Sequence, residues 1–110
     1  MDRILTKFVS QAQKEGARWE RLYLFGSRAT GRERPDSDYD VLVVVRRRTE
    51  ALLDALYKAA FDQLLTTGRL ISLKIFTRKE FERLVNLGTP FMSRVLKEGI
   101  PLGQSHRRAA

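Results

Sequence analysis

The feature that most constrains the fold is a pair of aspartates placed directly before a run of apolar residues. Asp38 and Asp40 lead into Val41–Val45, a valine-rich segment without a polar side chain. Such a segment predicts a central strand that is buried on both faces. Side chains two positions apart on a strand point the same way, so both carboxylates should project together from one face, near one end of this buried strand.

A glycine-serine turn lies shortly before these aspartates. Gly26 and Ser27 follow Arg21–Phe25, a short apolar and aromatic segment that predicts a strand feeding a turn. Gly26 has no Cβ and therefore permits close approach of the backbone to a phosphate. Ser27 offers a hydroxyl and a backbone N–H at the expected start of a helix, where anions are favoured. Because Mg²⁺ is normally held by one or two carboxylates plus substrate phosphates, the turn and the aspartates together indicate nucleotide chemistry.

The rest of the chain predicts a small α/β fold of the α+β type, with helices packed on a mixed sheet of about three strands. Leu70–Phe76 predicts the third strand, with Ser72 and Lys74 on its polar face. Capping residues and glycines bound the predicted helices. These helices run from Ile4 to Gly16, from Thr49 to Gly68, from Thr77 through Val85 and from Thr89 to Gly99.

Apolar spacing and aromatic content predict the core. The long central helix is expected to bury an inner stripe made of Leu52, Leu53, Leu56, Ala60 and Leu64. The aromatic residues expected in or at the edge of the core are Phe8, Trp19, Phe25, Phe61, Phe76 and Phe81. We expect one domain over residues 1–103 and a disordered basic tail over residues 104–110.

Composition indicates where the protein is located and which partners it attracts. The chain has no cysteine and no apolar run near the ~20 residues that span a bilayer, so we expect a cytoplasmic protein without a membrane segment. The net charge of +8 would attract nucleotides, nucleic acid, an anionic membrane surface or an acidic protein partner. Nucleic acid is the weakest of these, because no aromatic residues alternate with the basic ones to stack bases. The basic run Arg46–Arg48 follows a strand and is expected to form a solvated loop.

The two motifs at this spacing resemble those of the DNA polymerase beta-like nucleotidyltransferase superfamily. The likeness covers residues 22–45, with Gly-Ser-x-Ala-x-Gly followed by Ser-Asp-x-Asp and a β-branched strand. The short length and the segment 89–102 resemble the minimal nucleotidyltransferase branch. The resemblance implies Asp38 and Asp40 as catalytic Mg²⁺ ligands. It further implies that Gly26, Ser27 and Arg28 bind the nucleotide, with Arg32 either a second phosphate contact or a solvated loop charge.

The resemblance also implies an activity and a partner. A nucleoside triphosphate, for which we expect ATP, would lose pyrophosphate while its nucleotidyl group moves to a hydroxyl of a protein or small molecule. Members of the minimal branch are often paired with a small helical HEPN protein, a candidate ribonuclease toxin, which would make this chain an antitoxin. A partner subunit is expected to complete the acceptor side of the pocket, and association with a second copy of the chain stays open.

One departure from the superfamily pattern divides the functional hypotheses. Catalytic members usually add a third carboxylate from a following strand, whereas the matching strand here offers Ser72 and Lys74. Two carboxylates suffice to load a metal-bound nucleotide, but activation of the acceptor would lack its usual base. The alternative to an active transferase is therefore a degenerate nucleotide-binding module that neutralises a partner by forming a complex.

Overall fold

The structure of the protein is a computed structural model that describes residues 2–103. The predicted tail, 104–110, lies outside the described residues. In the described range no helix is long and apolar enough to cross a membrane. The elements in chain order are α1 Arg3–Lys14, β1 Arg21–Phe25, α2 Ser27–Thr30, β2 Tyr39–Val45, α3 Glu50–Thr67, β3 Ile71–Thr77, α4 Arg78–Leu87, α5 Pro90–Glu98 and β4 Ile100–Pro101.

The strands form one mixed sheet in the order β3-β2-β1-β4. β1 is antiparallel to both β2 and β4, whereas β2 and β3 run parallel. The predicted α/β class is therefore confirmed, but the sheet has four strands rather than about three. The unpredicted strand is Ile100–Pro101, which is too short for an alternating pattern and carries a proline that suits its edge position.

The helix boundaries follow the predicted capping residues. The Thr49 hydroxyl caps α3, which ends at Gly68 in the left-handed conformation. Thr77 and Glu80 form a reciprocal capping box at the start of α4. Pro90 occupies the first position of α5, where its missing N–H leaves no donor unsatisfied. Local sequence thus sets where each of these helices begins and ends.

The central strand β2 separates two apolar layers. Tyr39, Val41, Val43 and Val45 face the layer that contains α1 and α3. The alternate residues, including Leu42, face a second layer that contains Phe81 of α4 together with Met92 and Val95 of α5. All of Val41–Val45 is buried, which confirms the strand predicted to be covered on both sides. Asp40 belongs to the second face by the same alternation.

The predicted inner face of α3 is partly wrong. Small residues of α3, including Ala55 and Ala59, share the core cluster with Phe8 and Ala12 of α1, which allows the two helices to approach closely and rotates α3 away from its leucine stripe. Phe61 is consequently 56% exposed. The buried residues of α3 are Ala55, Leu56, Ala59, Ala60 and Gln63, while Leu52, Leu53 and Leu64 are half-buried. The other aromatic residues predicted for the core are buried or half-buried.

Candidate functional site

Asp38 and Asp40 lie at the end of the sheet where β2 begins. Asp40 is half-buried between its two strand neighbours, with Phe25 of β1 opposite it on one side and Ser72 of β3 on the other. Asp38 precedes the strand and is exposed to solvent. Asp38 lies close enough to Asp40 for its negative charge to raise the pKa of the Asp40 carboxyl.

The backbone at Gly26 lies directly against the carboxylate of Asp40. A Cβ added to Gly26 would collide with Oδ2 of Asp40. Gly26 also has φ 76° and ψ −158°, a region of backbone conformation that is nearly exclusive to glycine. Two independent constraints therefore require glycine here, and they hold the turn and the carboxylate in direct contact.

The electrostatics of Asp40 fit a cation-binding role. Burial raises the pKa of Asp40, and the charge of Asp38 raises this pKa further, while the Lys74 ammonium partly offsets both effects. Two carboxylates that repel each other in a partly desolvated position disfavour their own ionisation. A divalent cation would relieve that repulsion, and carboxylate oxygens are the ligands that Mg²⁺ prefers. The donor set therefore fits Mg²⁺.

Arg28 contacts the loop that leads into Asp38. Its Nε donates a hydrogen bond to the Ser37 carbonyl oxygen at 3.0 Å, and Nη2 donates to the Pro35 carbonyl oxygen at 3.4 Å. The guanidinium lies 3.9 Å from the centroid of the Tyr39 ring, a side chain that faces away from Asp40. Arg28 thus holds the loop that leads into Asp38, and its contribution to a site would be made through that loop.

The neighbouring strand β3 supplies no carboxylate to the pair. Ser72 lies directly opposite Asp40, and Lys74 lies opposite Leu42, two positions further along the same face. In residues 2–103 no group of three or more acidic, histidine or cysteine side chains could hold a metal ion. The side of Asp40 that faces β3 therefore carries a hydroxyl and an ammonium group.

A cavity of about 340 Å³ opens on the opposite side, between α2 and α5. Its lining includes Gly26 and Ser27, as well as two arginines, Arg32 and Arg94. Sequence reasoning missed Arg94, because only the tertiary fold brings α5 next to the turn. The likeness of segment 89–102 to the minimal branch was the only signal pointing to that helix. The remaining lining residues are Phe25, Thr30, Phe91, Val95 and Glu98.

Comparison with known proteins assigns the chain to a family. The family model of the nucleotidyltransferase domain matches residues 3–102, which is nearly the whole described range. The chain therefore belongs to the nucleotidyltransferase domain family, as its two motifs predicted. No curated protein shows a significant match to the chain.

Solved structures support the same fold. A Sulfolobus solfataricus protein assigned as a nucleotidyltransferase is 19% identical with a TM-score of 0.54, covering 93% of this chain and 78% of its own. A toxin–antitoxin structure with AMP-PNP is 16% identical with a TM-score of 0.57. A mutant of the toxin–antitoxin MntA–HpeT is 14% identical with a TM-score of 0.56. Both toxin–antitoxin matches cover 89% of this chain and 71% of the other. At these identities the likeness establishes the fold.

Proposed function

We propose that this protein binds ATP with Mg²⁺ and transfers its nucleotidyl group to a hydroxyl of a protein or small molecule. One observation carries the proposal: in a chain of the nucleotidyltransferase family, Asp40 lies against the Gly26 backbone at one end of the sheet, and the charge of Asp38 acts on Asp40. Asp38 and Asp40 would hold the metal, while Gly26 and Ser27 would receive phosphates. When bound, Mg²⁺ would neutralise charge on the triphosphate.

The proposed reaction is a substitution at the α-phosphorus. The acceptor hydroxyl oxygen forms a bond to this phosphorus, and the bond to the oxygen that bridges the α- and β-phosphates breaks. Pyrophosphate leaves with that electron pair, and the hydroxyl proton passes to solvent. The protein would contribute by positioning the reactants and by electrostatic stabilisation, which together account for most of the catalysis in phosphoryl transfer. Arg28 would act indirectly, by fixing the position of the loop before Asp38.

The proposed partner is a HEPN-type protein, with this chain as its antitoxin. Two structures of similar fold are toxin–antitoxin complexes, and one of these contains AMP-PNP. The net charge of +8 would favour association with an acidic partner surface. Neutralisation would follow from contact with the partner or from modification of a hydroxyl on it.

A second candidate function is nucleotide-dependent binding without transfer. The observation that favours it is Ser72, which occupies the position opposite Asp40 where a third carboxylate would lie closest to the pair. Neither Ser72 nor Lys74 can replace a carboxylate as a metal ligand and base. In this case the protein would neutralise its partner as a nucleotide-loaded complex.

The experiment that tests the proposal uses ATP labelled at the α-phosphate. The protein, purified from its host with its bound partners, is incubated with Mg²⁺ and the label, alongside Asp40→Asn and the control Asp36→Asn. Asp36 lies in the exposed loop before the site. Label on a co-purified protein that is lost only in Asp40→Asn supports transfer. Nucleotide binding without label supports the second candidate, and absence of nucleotide binding rejects both.

A further inference from the structure

The arginine of the turn that would receive the phosphates makes its contacts with the loop before Asp38. Arg28 is the arginine of the Gly-Ser turn, yet its guanidinium is occupied by the carbonyls of Ser37 and Pro35 and by the Tyr39 ring. A triphosphate carries several negative charges, and one divalent ion compensates only part of them. A second source of positive charge near Gly26 and Ser27 would therefore strengthen binding.

The cavity between α2 and α5 contains such a source. Arg32 follows α2, and Arg94 belongs to α5, and both line the cavity together with Gly26 and Ser27. A guanidinium presents its donors in a planar fork that matches two phosphate oxygens. Glu98 also lines the cavity, four residues after Arg94 in the same helix.

The helix that carries Arg94 is held firmly against the sheet. The Phe91 ring meets the Phe25 ring edge to face, with centroids 5.4 Å apart. Met92 and Val95 are buried in the second apolar layer. Arg94 therefore extends from a packed helix rather than from a loop, and its position relative to the Gly26 turn is set by the core.

We propose that Arg94, together with Arg32, binds the terminal phosphates of the nucleotide, the part that leaves as pyrophosphate. This inference rests on the function proposed above and assigns an orientation to the substrate. The phosphate tail extends from Asp40 into the cavity between α2 and α5. The acceptor must then approach from the β3 side, over Ser72 and Lys74, because in-line displacement places it opposite the leaving group.

The test compares the binding of three ligands to the 110-residue chain. Dissociation constants for AMP-PNP, AMP and pyrophosphate are measured by calorimetry with Mg²⁺ for the wild type and for Arg94→Ala, Arg94→Lys and Lys97→Ala. Lys97→Ala is the matched control, since it removes one positive charge from the same helix at a residue outside the cavity lining. Circular dichroism and melting temperature establish that each variant is folded.

We expect Arg94→Ala to weaken the binding of AMP-PNP and of pyrophosphate by about ten-fold or more, because charged hydrogen bonds to phosphate are lost. The affinity of Arg94→Ala for AMP should change by less than about two-fold. Lys97→Ala should bind all three ligands like the wild type, and the affinities of Arg94→Lys should lie between those of the wild type and Arg94→Ala. Equal weakening of AMP and AMP-PNP would place the nucleoside in the cavity and overturn the inference. Unchanged affinities in Arg94→Ala would overturn the inference alone, whereas a wild type that binds none of these ligands would overturn the proposed function with it.

Discussion

The two sides of Asp40 differ in what they offer a substrate. Toward β1 and α2 the carboxylate touches the Gly26 backbone, beyond which a cavity is lined by Arg32 and Arg94. Toward β3 it meets Ser72, with Lys74 further along the same face. The first side offers a glycine turn and two arginines, whereas the second carries no acidic group beside Asp40. Under the proposed function, the first side would bind the nucleotide and the second side would have to activate the acceptor.

The two sides of Asp40 also differ in how tightly the fold constrains them. A fold by itself does not fix an activity, because activity belongs to the site that the fold carries. Here the half of the site that Gly26 and Asp40 form is fixed by direct contact between backbone and side chain. Ser72 is a single side chain on a strand at the edge of the sheet, so it can change without disturbing the turn.

The largest effect is expected at Asp40, which both sides of the site share. Asp40→Asn should weaken Mg²⁺-dependent AMP-PNP binding by about 100-fold, because a neutral amide replaces one of two metal-binding carboxylates. Calorimetry with and without Mg²⁺ measures this loss. Asp36→Asn should behave as wild type, and an Asp40→Asn variant with full Mg²⁺-dependent affinity would remove Asp40 from the site.

The second prediction concerns the contact between turn and carboxylate. Gly26→Ala should lower the free energy of unfolding by about 3 kcal/mol, because the backbone conformation is strained for alanine and the added Cβ meets Asp40. Gly31→Ala, also at φ 76° but with open space around the new Cβ, should cost only about 1 kcal/mol. Urea unfolding measures both variants. Adding Asp40→Ala to Gly26→Ala should recover part of the loss, and strictly additive changes would contradict the contact.

The third prediction tests the incomplete side. Ser72→Asp places a carboxylate beside Asp40 on the adjacent strand, and Mg²⁺ affinity should rise by about ten-fold as a third oxygen ligand becomes available. Calorimetric titration with Mg²⁺ checks this, with Ser72→Asn as the uncharged control. If the wild type binds without transferring, α-phosphate label should appear with Ser72→Asp. An unchanged Mg²⁺ affinity would show that the β3 side does not face the metal.

The fourth prediction distinguishes Arg28 from Arg94. Arg28→Ala should reduce the free energy of unfolding by about 1 kcal/mol, since it removes hydrogen bonds to two loop carbonyls and a contact with the Tyr39 ring. Arg28→Ala should weaken the binding of AMP and of AMP-PNP equally, because the loop positions Asp38 rather than the phosphate tail. A loss confined to AMP-PNP would instead make Arg28 a direct phosphate ligand, as the sequence motif suggested.

The smallest effect is the pH dependence that Asp40 contributes in the absence of metal. Burial and the charge of Asp38 raise the pKa of Asp40 in the folded protein, so ionisation of this group costs stability as pH rises through that pKa. Asp40→Asn should therefore melt a few degrees higher than the wild type at pH 7. The difference should shrink as pH falls toward the unfolded pKa near 4. If the difference in melting temperature were constant over this pH range, the raised pKa of Asp40 could not be its cause.

Several features of the molecule were predictable from the sequence because they depend on local pattern. The valine-rich run gave a strand covered on both faces, and Thr49 and Thr77 marked helix starts by capping. Asp40 is the second residue of β2 and Asp38 directly precedes the strand, while their role as a metal-binding pair stays a prediction. The two-residue strand β4 was not predicted, because its pairing with β1 depends on the tertiary fold. The exposure of Phe61 was not predicted either, because apolar spacing does not fix how a helix is rotated against its neighbours.

The sequence by itself determined the two motifs, the strand that joins them to the core and the family to which the chain belongs. Only the tertiary structure decided which arginine lies beside the turn. Arg28 is adjacent to Ser27 in the chain but points to the loop and to Tyr39, whereas Arg94 reaches the cavity from α5. The reason is that local spacing sets how a segment folds, while the packing of α5 on β1, through Phe91 and Phe25, sets which distant side chains share a site.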